Sequence, residues 1–187
     1  FFKDILFFDA TFNGIVPLEI WIDSKREEGI VRPATLRRMN QLQETIDEIP
    51  ELAPSLSVVN AVKYAKQAYY NGNPNYFALP TSQENSFIYP FLNSSNSDSQ
   101  LLNGYVDSTG QFGRITTYMK DIKTSRMEEI ETDLKESIAK IFPKDRYGVN
   151  ITGKSLLFLK IFFFLMLHST ELYLWKYGLT ANEKRAL

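Results

Sequence analysis

The 187-residue sequence has no cysteine and only one histidine. Without thiols, neither a disulfide framework nor a thiolate metal site can form. His168 stands beside Phe164, Leu165 and Leu167, a setting that suits a structural histidine better than a catalytic one. No second imidazole is present to complete a metal set, and no Ser–His–Asp arrangement can be argued from it. An excess of either charge is also missing: 21 basic side chains face 22 acidic ones, for a formal net charge of -1. Such a balance supplies no long-range field to steer nucleic acid or anionic lipid. The acidic pairs Glu27-Glu28 and Glu128-Glu129 fall at turns or helix starts, where solvation and the helix dipole account for them. These absences point away from an enzyme, a cofactor or a nucleic-acid partner. Long apolar runs are scarce as well. Residues 161–167 are continuously apolar, yet a membrane span needs roughly 18 such residues.

What the chain does have is ordinary globular material, 44% hydrophobic and 23% charged, with a heavy aromatic load of 14 Phe and 10 Tyr. It begins at Phe1 with neither an initiator Met nor a signal-peptide pattern, so a longer parent protein is expected.

Residues 1–14 are apolar and aromatic and close on the turn dipeptide Asn13-Gly14. Leu18, Ile20 and Ile22 then alternate with Glu19, Trp21 and Asp23, the period of a half-buried strand. Pro33 is suited to the first turn of a helix. Leu36, Met39, Leu42, Ile46 and Ile49 recur at three- and four-residue steps and form one stripe, which Pro50 ends. Residues 55–60 read as a short second strand. Residues 61–70 read as a helix burying Val62, Ala65, Ala68 and Tyr69. Between 71 and 110 the chain is dominated by Asn, Ser, Gly and Pro, with a short helix expected near 100–106. Strand character returns at 112–122, where Ile115, Thr117 and Met119 oppose Arg114, Thr116 and Tyr118. Ser125 with Glu128 has the spacing of a capping box, opening a helix with Met127, Ile130, Leu134, Ile138 and Ile141 on its stripe. Pro143 stops it, and Val149 and Ile151 face inward on a last short strand.

This order predicts an α+β fold of the ferredoxin-like, split βαβ kind: βαβ, an insertion, then βαβ, with two helices covering one face of an antiparallel sheet. Residues 1–160 would form the domain, carrying the insertion at 71–110. Residues 161–187 would be an apolar tail.

Residues 148–155, Gly-Val-Asn-Ile-Thr-Gly-Lys-Ser, satisfy the spacing of a phosphate-binding loop. Such a loop needs a buried strand before its first glycine and a helix opening at its lysine. Residues 141–147 contain Pro143 and three charges and cannot supply that strand, so the match is read as accidental. A nucleotide-binding enzyme would require ATP or GTP affinity lost in Lys154→Ala.

Within and beside the insertion lie Tyr69, Tyr70, Tyr76, Phe77, Phe87, Tyr89 and Phe91. They either pin a long loop onto the domain or form a wall that contacts a greasy substrate or a neighbouring domain. On the second reading these seven are the substrate-contact candidates.

The two ends of the domain carry a resemblance. Residues 7–23, Phe-Phe-Asp-Ala-Thr-Phe-Asn-Gly-Ile-Val-Pro-Leu-Glu-Ile-Trp-Ile-Asp, resemble the segment that follows a transmembrane helix in exporters of the resistance-nodulation-division (RND) superfamily, MMPL-like branch. In those proteins a phenylalanine-rich segment, a glycine, Pro-Leu-Glu-Ile and an Asp-ended strand begin the porter domain. Val31-Arg32-Pro33 with Leu36 and Leu42 is similar to their first helix. Ile151-Thr-Gly153-Lys-Ser155 looks like the T-G-x-S segment that closes the domain. The resemblance extends over residues 1–160, closest at both ends and loosest in the insertion. It implies a periplasmic domain of a proton-driven exporter in a bacterial inner membrane, handling hydrophobic or amphiphilic, lipid-like molecules. The implied partners are the membrane helices and second porter domain of the same transporter. In this family the proton-relay acids lie in membrane helices, so none is assigned. The alternative is a periplasmic ligand-binding or adaptor module without transport activity. The tail departs from the family pattern. It reads as a truncated membrane-proximal helix, a packed amphipathic helix or a segment foreign to the natural protein, and a homo-oligomer contact through it is expected.

Overall fold

The computed structural model describes residues 16–94, 104–120 and 122–152. The expected aromatic segment at 1–14, residues 153–155 with Lys154, His168 and the tail at 161–187 lie outside the described residues.

The described residues are mixed α+β, with a three-stranded antiparallel sheet and four helices among them. Strand β1 (Val16–Asp23) is followed by α1 (Pro33–Asp47), α2 (Val58–Tyr69), a 3-10 turn (Pro74–Tyr76), α3 (Asn85–Ser94), β2 (Phe112–Met119), α4 (Thr124–Ile141) and β3 (Gly148–Thr152). β1 is central, in the order β2-β1-β3. Ile20 pairs with Ile115 on one side and Ile151 on the other. The alternation read from the sequence is the one that folds: Leu18, Ile20 and Ile22 are buried, as are Ile115, Thr117 and Met119. Removing a side chain such as Ile20 from water contributes roughly 2 kcal/mol.

Both long helices lay their stripes on this face. α1 buries Leu36, Met39, Leu42 and Ile46, and α4 buries Met127, Ile130, Leu134 and Ile141; Ile49 and Ile138 pack at the margin. Pro33 begins α1. α4 begins at Thr124 with Lys123 at the cap and no side-chain cap bond. The expected capping box of Ser125 with Glu128 therefore does not form, because Ser125 already lies inside the first turn.

The second strand is the main correction. Residues 57–60 are helical or cap a helix: the Ser57 hydroxyl accepts from Val59 N (3.0 Å), and Asn60 Oδ1 accepts from Ser57 N (2.9 Å). This reciprocal cap turns Val58-Val59 into the first turn of α2. Gln43 of α1 reinforces it, donating to Ser55 O (3.0 Å) and Asn60 Oδ1 (2.9 Å) and accepting from Ser57 Oγ (2.8 Å). Strand-like pairing falls instead on residues 52–56, which run antiparallel along the outer edge of β2. There Leu52 bridges Met119, Leu56 bridges Thr116, and Thr117 Oγ1 donates to Ala53 O at 2.5 Å.

In the insertion, α3 was not expected. The helix expected near 100–106 is absent from the described part, residues 104–106. There Val106 bridges Gly113, and Asp107 organises a tight turn into β2 by accepting from Phe112 N (2.8 Å) and the Thr109 hydroxyl (2.5 Å). The first five residues of the phosphate-loop pattern, Gly148–Thr152, are strand β3 paired with β1, so they cannot loop around a phosphate.

Antiparallel pairing sets Thr152 opposite Glu19 and Gly148 opposite Asp23. The described start of β1, Val16, and the described end of β3, Thr152, thus lie toward the same end of the sheet. Among the described residues, no helix is long and apolar enough to cross a membrane.

Candidate functional site

The aromatic residues flagged in the sequence are assembled by one reversal of the chain. α2 ends at Tyr69, and Asn71 (φ 57) and Gly72 (φ 76) turn it in consecutive left-handed conformations. Gly72 N closes this turn on Gln67 O at 2.8 Å, and Gln67 Nε2 donates to Gly72 O at 3.0 Å. Asn73 then accepts from Asn75 N (3.0 Å) to start the 3-10 turn. The reversal lays Tyr76 flat on Tyr70, with ring centroids 4.0 Å apart and planes 13° from parallel. Tyr70 meets Tyr69 edge-on at 5.4 Å, and Tyr69 meets Phe87 of α3 at 5.0 Å.

Tyr69, Tyr76 and Phe77 are exposed, at 44%, 37% and 37%, so the cluster is an open face rather than a plug. Tyr69 and Ala68 had been expected on the buried stripe of α2. That stripe passes instead through Val62, Ala65 and Lys66.

Lys66 can be buried because Glu84 reaches it. Its ammonium donates to Glu84 Oε2 at 2.8 Å, with side-chain exposures of 9% and 14%. Glu84 also closes a capping box at the start of α3: its carboxylate accepts from Thr81 N (2.8 Å), and its own N–H donates to Thr81 Oγ1 (3.3 Å). Its other oxygen accepts from Tyr70 OH at 3.1 Å. The hydrogen bond from Lys66, followed by that from Thr81 N, holds the carboxyl down at about 2. Burial, then Glu84, pushes the Tyr70 phenol above its ordinary value.

Of the seven candidates, Tyr69, Tyr70, Tyr76 and Phe87 form one ring-to-ring chain, and Phe77, next to Tyr76 in the chain, pairs separately with Tyr64. Tyr89 does not belong to it. It lies half-buried on the other side of α3, donates to Val31 O at 2.9 Å, and is pushed up to about 12 by burial. Its role is to fasten α3 to the body. Phe91 falls within α3, but its side chain lies outside the described residues.

Tyr64, which the sequence pattern does not single out, is 61% exposed and tilted against Phe77 at 4.8 Å. Its position off the apolar stripe of α2 was the available clue. Lys63 adds a cation 5.7 Å above the Phe77 ring.

The surface offers flat apolar rings edged with phenol and amide groups, over a carboxylate already occupied by an ammonium. That arrangement suits contact with an amphiphile or another protein surface. Among the described residues, no group of three or more His, Cys, Asp or Glu is placed to hold a metal ion. No protein-family model matches the chain, and no curated protein shows significant similarity to it.

Proposed function

We propose that this chain is an extracytoplasmic porter-type domain of an RND-type exporter, set on the periplasmic face of a bacterial inner membrane. Its cargo on this reading is hydrophobic or amphiphilic, of lipid-like chemistry. The domain performs no catalysis. It moves as a body against a partner domain to open and close a substrate cleft, driven by the membrane part of the same protein.

The observation that carries the reading is the order of extended segments. Counting residues 52–56 as the second strand, the sheet runs 52–56, β2, β1, β3, antiparallel throughout. With α1 and α4 on one face, this order supports reading the domain as a split βαβ fold with its insertion between the second and third extended segments. The described start of β1 and end of β3 lying toward one end of the sheet also suits a domain carried between two flanking segments on one side of a membrane. The opposite sheet face leaves Trp21, Phe112 and Tyr118 exposed at 41%, 40% and 47% around the Arg114–Glu19 ion pair (3.3 Å). A partner domain would have that face to pack on.

The natural flanking sequence tests the reading first. A porter domain requires many membrane helices and a second, related domain in the same reading frame, and a parent lacking both would sink it in favour of a ligand-binding or adaptor module. Within such a parent, Tyr76→Ala with Phe77→Ala should lower lipid export while membrane abundance is unchanged. Undiminished export would remove the aromatic surface from the pathway.

A further inference from the structure

At the end of the sheet where Asp23 faces Gly148, a cavity of about 500 Å³ opens between the turn after β1, the start of α1 and the loop before β3. That volume lies in the range of small-ligand sites, roughly 300–1,000 Å³. Its walls bring together Lys25, Arg26, Arg32 and Arg146 against one carboxylate, Asp145. In a chain of net charge -1, four cations around one concavity is a marked local segregation.

The fold fixes the backbone that carries these side chains, and one of the side chains itself. Lys25 adopts a left-handed conformation (φ 55), fixed by its N–H donating to Asp23 Oδ1 at 2.7 Å. Its ammonium donates to Lys144 O at 2.8 Å, which draws the two loops together over the cavity. Arg26 is set by Ser24 Oγ donating to its carbonyl at 2.9 Å. Arg32 is the cap residue of α1 and has no side-chain cap bond. Arg146 is 3.5 Å from Asp145, with both side chains more than 70% exposed. Such a pair is weak and yields readily to a better anion. The floor is neutral and firm: Thr35 Oγ1 and Tyr147 OH lie 3.1 Å apart, and the Tyr147 ring packs edge-on against buried Phe142 at 5.3 Å.

We infer that this cavity binds a phosphate group, carried by a small soluble ester or by a lipid headgroup. Three guanidinium forks and an ammonium match the several oxygens of a phosphate, which arginine can take two at a time. The space beyond them accommodates the alcohol part of an ester. This inference does not depend on the transport reading, and its failure would leave that reading as it stands.

The test uses the full 187-residue chain at constant ionic strength, following backbone amide resonances. Inorganic phosphate, glycerol phosphate, and vesicles with or without phosphatidic acid in phosphatidylcholine are the probes. Saturable shifts at Lys25, Ala34 and Thr35 with a soluble phosphate identify a free ester as the ligand. Retention on phosphatidic acid vesicles alone identifies a headgroup. In either case Arg32→Gln with Arg146→Gln should weaken binding by roughly tenfold or more, and Lys120→Gln, at the opposite end of the sheet beside Met119, should not. Both changes are at exposed positions, and an unchanged amide spectrum elsewhere checks that the fold is kept. The inference is overturned if no probe gives a saturable response, or if the double variant binds as well as the parent.

Discussion

Lys66 and Glu84 meet at 2.8 Å with little access to water, and their contact joins α2 to the start of α3 across an 18-residue separation. Glu84 also receives Thr81 N and Tyr70 OH, so one carboxylate sets the cap of a helix, the position of an aromatic ring and the burial of a cation. Replacing Lys66 by Met should cost about 2–3 kcal/mol, because it strands a desolvated carboxylate. Glu84→Gln should also destabilise, and the double variant should recover part of the loss. Denaturant unfolding of the four proteins measures the coupling. Strict additivity would mean that the pair contributes nothing as a pair.

The same carboxyl sets an acid response. Glu84 is pulled from 4.5 to about 2 in the fold, so the folded chain holds this proton less tightly than the unfolded one. Its contribution is complete above the unfolded value and is lost as pH falls from 4.5 toward 2. Hydrogen exchange of residues 85–89 should rise through that window beyond the intrinsic rate, and Glu84→Gln should flatten the change. Equal pH profiles for the two proteins would remove Glu84 as the cause.

How far the sequence disclosed this arrangement depends on the range of each interaction. β1, β2, α1 and α4 were readable because their apolar periods are carried by their own residues: Ile20 and Ile22 alternate, and Leu36, Met39 and Leu42 keep helical steps. The Val58-Val59 run was not, since a short β-branched pair fits a strand or a helix equally. The cap from Ser57 and Asn60, held by Gln43 of α1, decided it. Lys66 shows a second limit. A lysine on an apolar stripe looks like an interruption until its partner is known, and Glu84 stands far along the chain. The five-membered part of the aromatic surface was legible as composition, whereas the departure of Tyr89 to Val31 O depended on the direction of α3. The basic cavity left no trace in the sequence, because Arg32 and Arg146 become neighbours only through the pairing of β3 with β1.

The weak edge at residues 52–56 has its own test. Thr117 is 1% exposed, and its hydroxyl donates to Ala53 O. Thr117→Val keeps the shape and removes the donor, leaving that carbonyl short of a partner in a buried place. The expected cost is about 1–2 kcal/mol, with faster exchange at Ala53 N, which is bonded to Tyr118 O at 2.7 Å. A neutral substitution would show that the edge is held by its backbone bonds alone.

Gly29 tests the turn that carries Lys25 and Arg26. A Cβ placed there would lie 2.1 Å from Ser24 Oγ and 2.6 Å from Arg26 Cγ. Ser24 Oγ is itself committed to Arg26 O and Gln111 O, both at 2.9 Å, so it cannot move aside without giving up those bonds. Gly29→Ala should therefore destabilise by about 2 kcal/mol and shift the Lys25 and Arg26 amides. A well-tolerated alanine would mean that the turn is softer than its bonding implies.

Tyr76 and Tyr89 separate contact from fastening among the aromatic candidates. Tyr76 is exposed and stacked on Tyr70, so Tyr76→Ala should cost only about 1 kcal/mol of stability while removing a ring from the open face. Tyr89→Phe keeps its ring but deprives Val31 O of its donor, also costing about 1 kcal/mol, and leaves the face untouched. Association with detergent micelles or lipid vesicles should fall in the first variant and hold in the second. Tyr89 adds an alkaline signature. Its phenol is raised to about 12 by burial, so its contribution is complete below the ordinary value of 10 and is lost as pH climbs from 10 through 12. In Tyr89→Phe the tyrosinate absorbance titrating near 12 should diminish. If Tyr76→Ala associates with lipid as the parent does, the stacked pair serves to fold the insertion and the open face is not a binding surface.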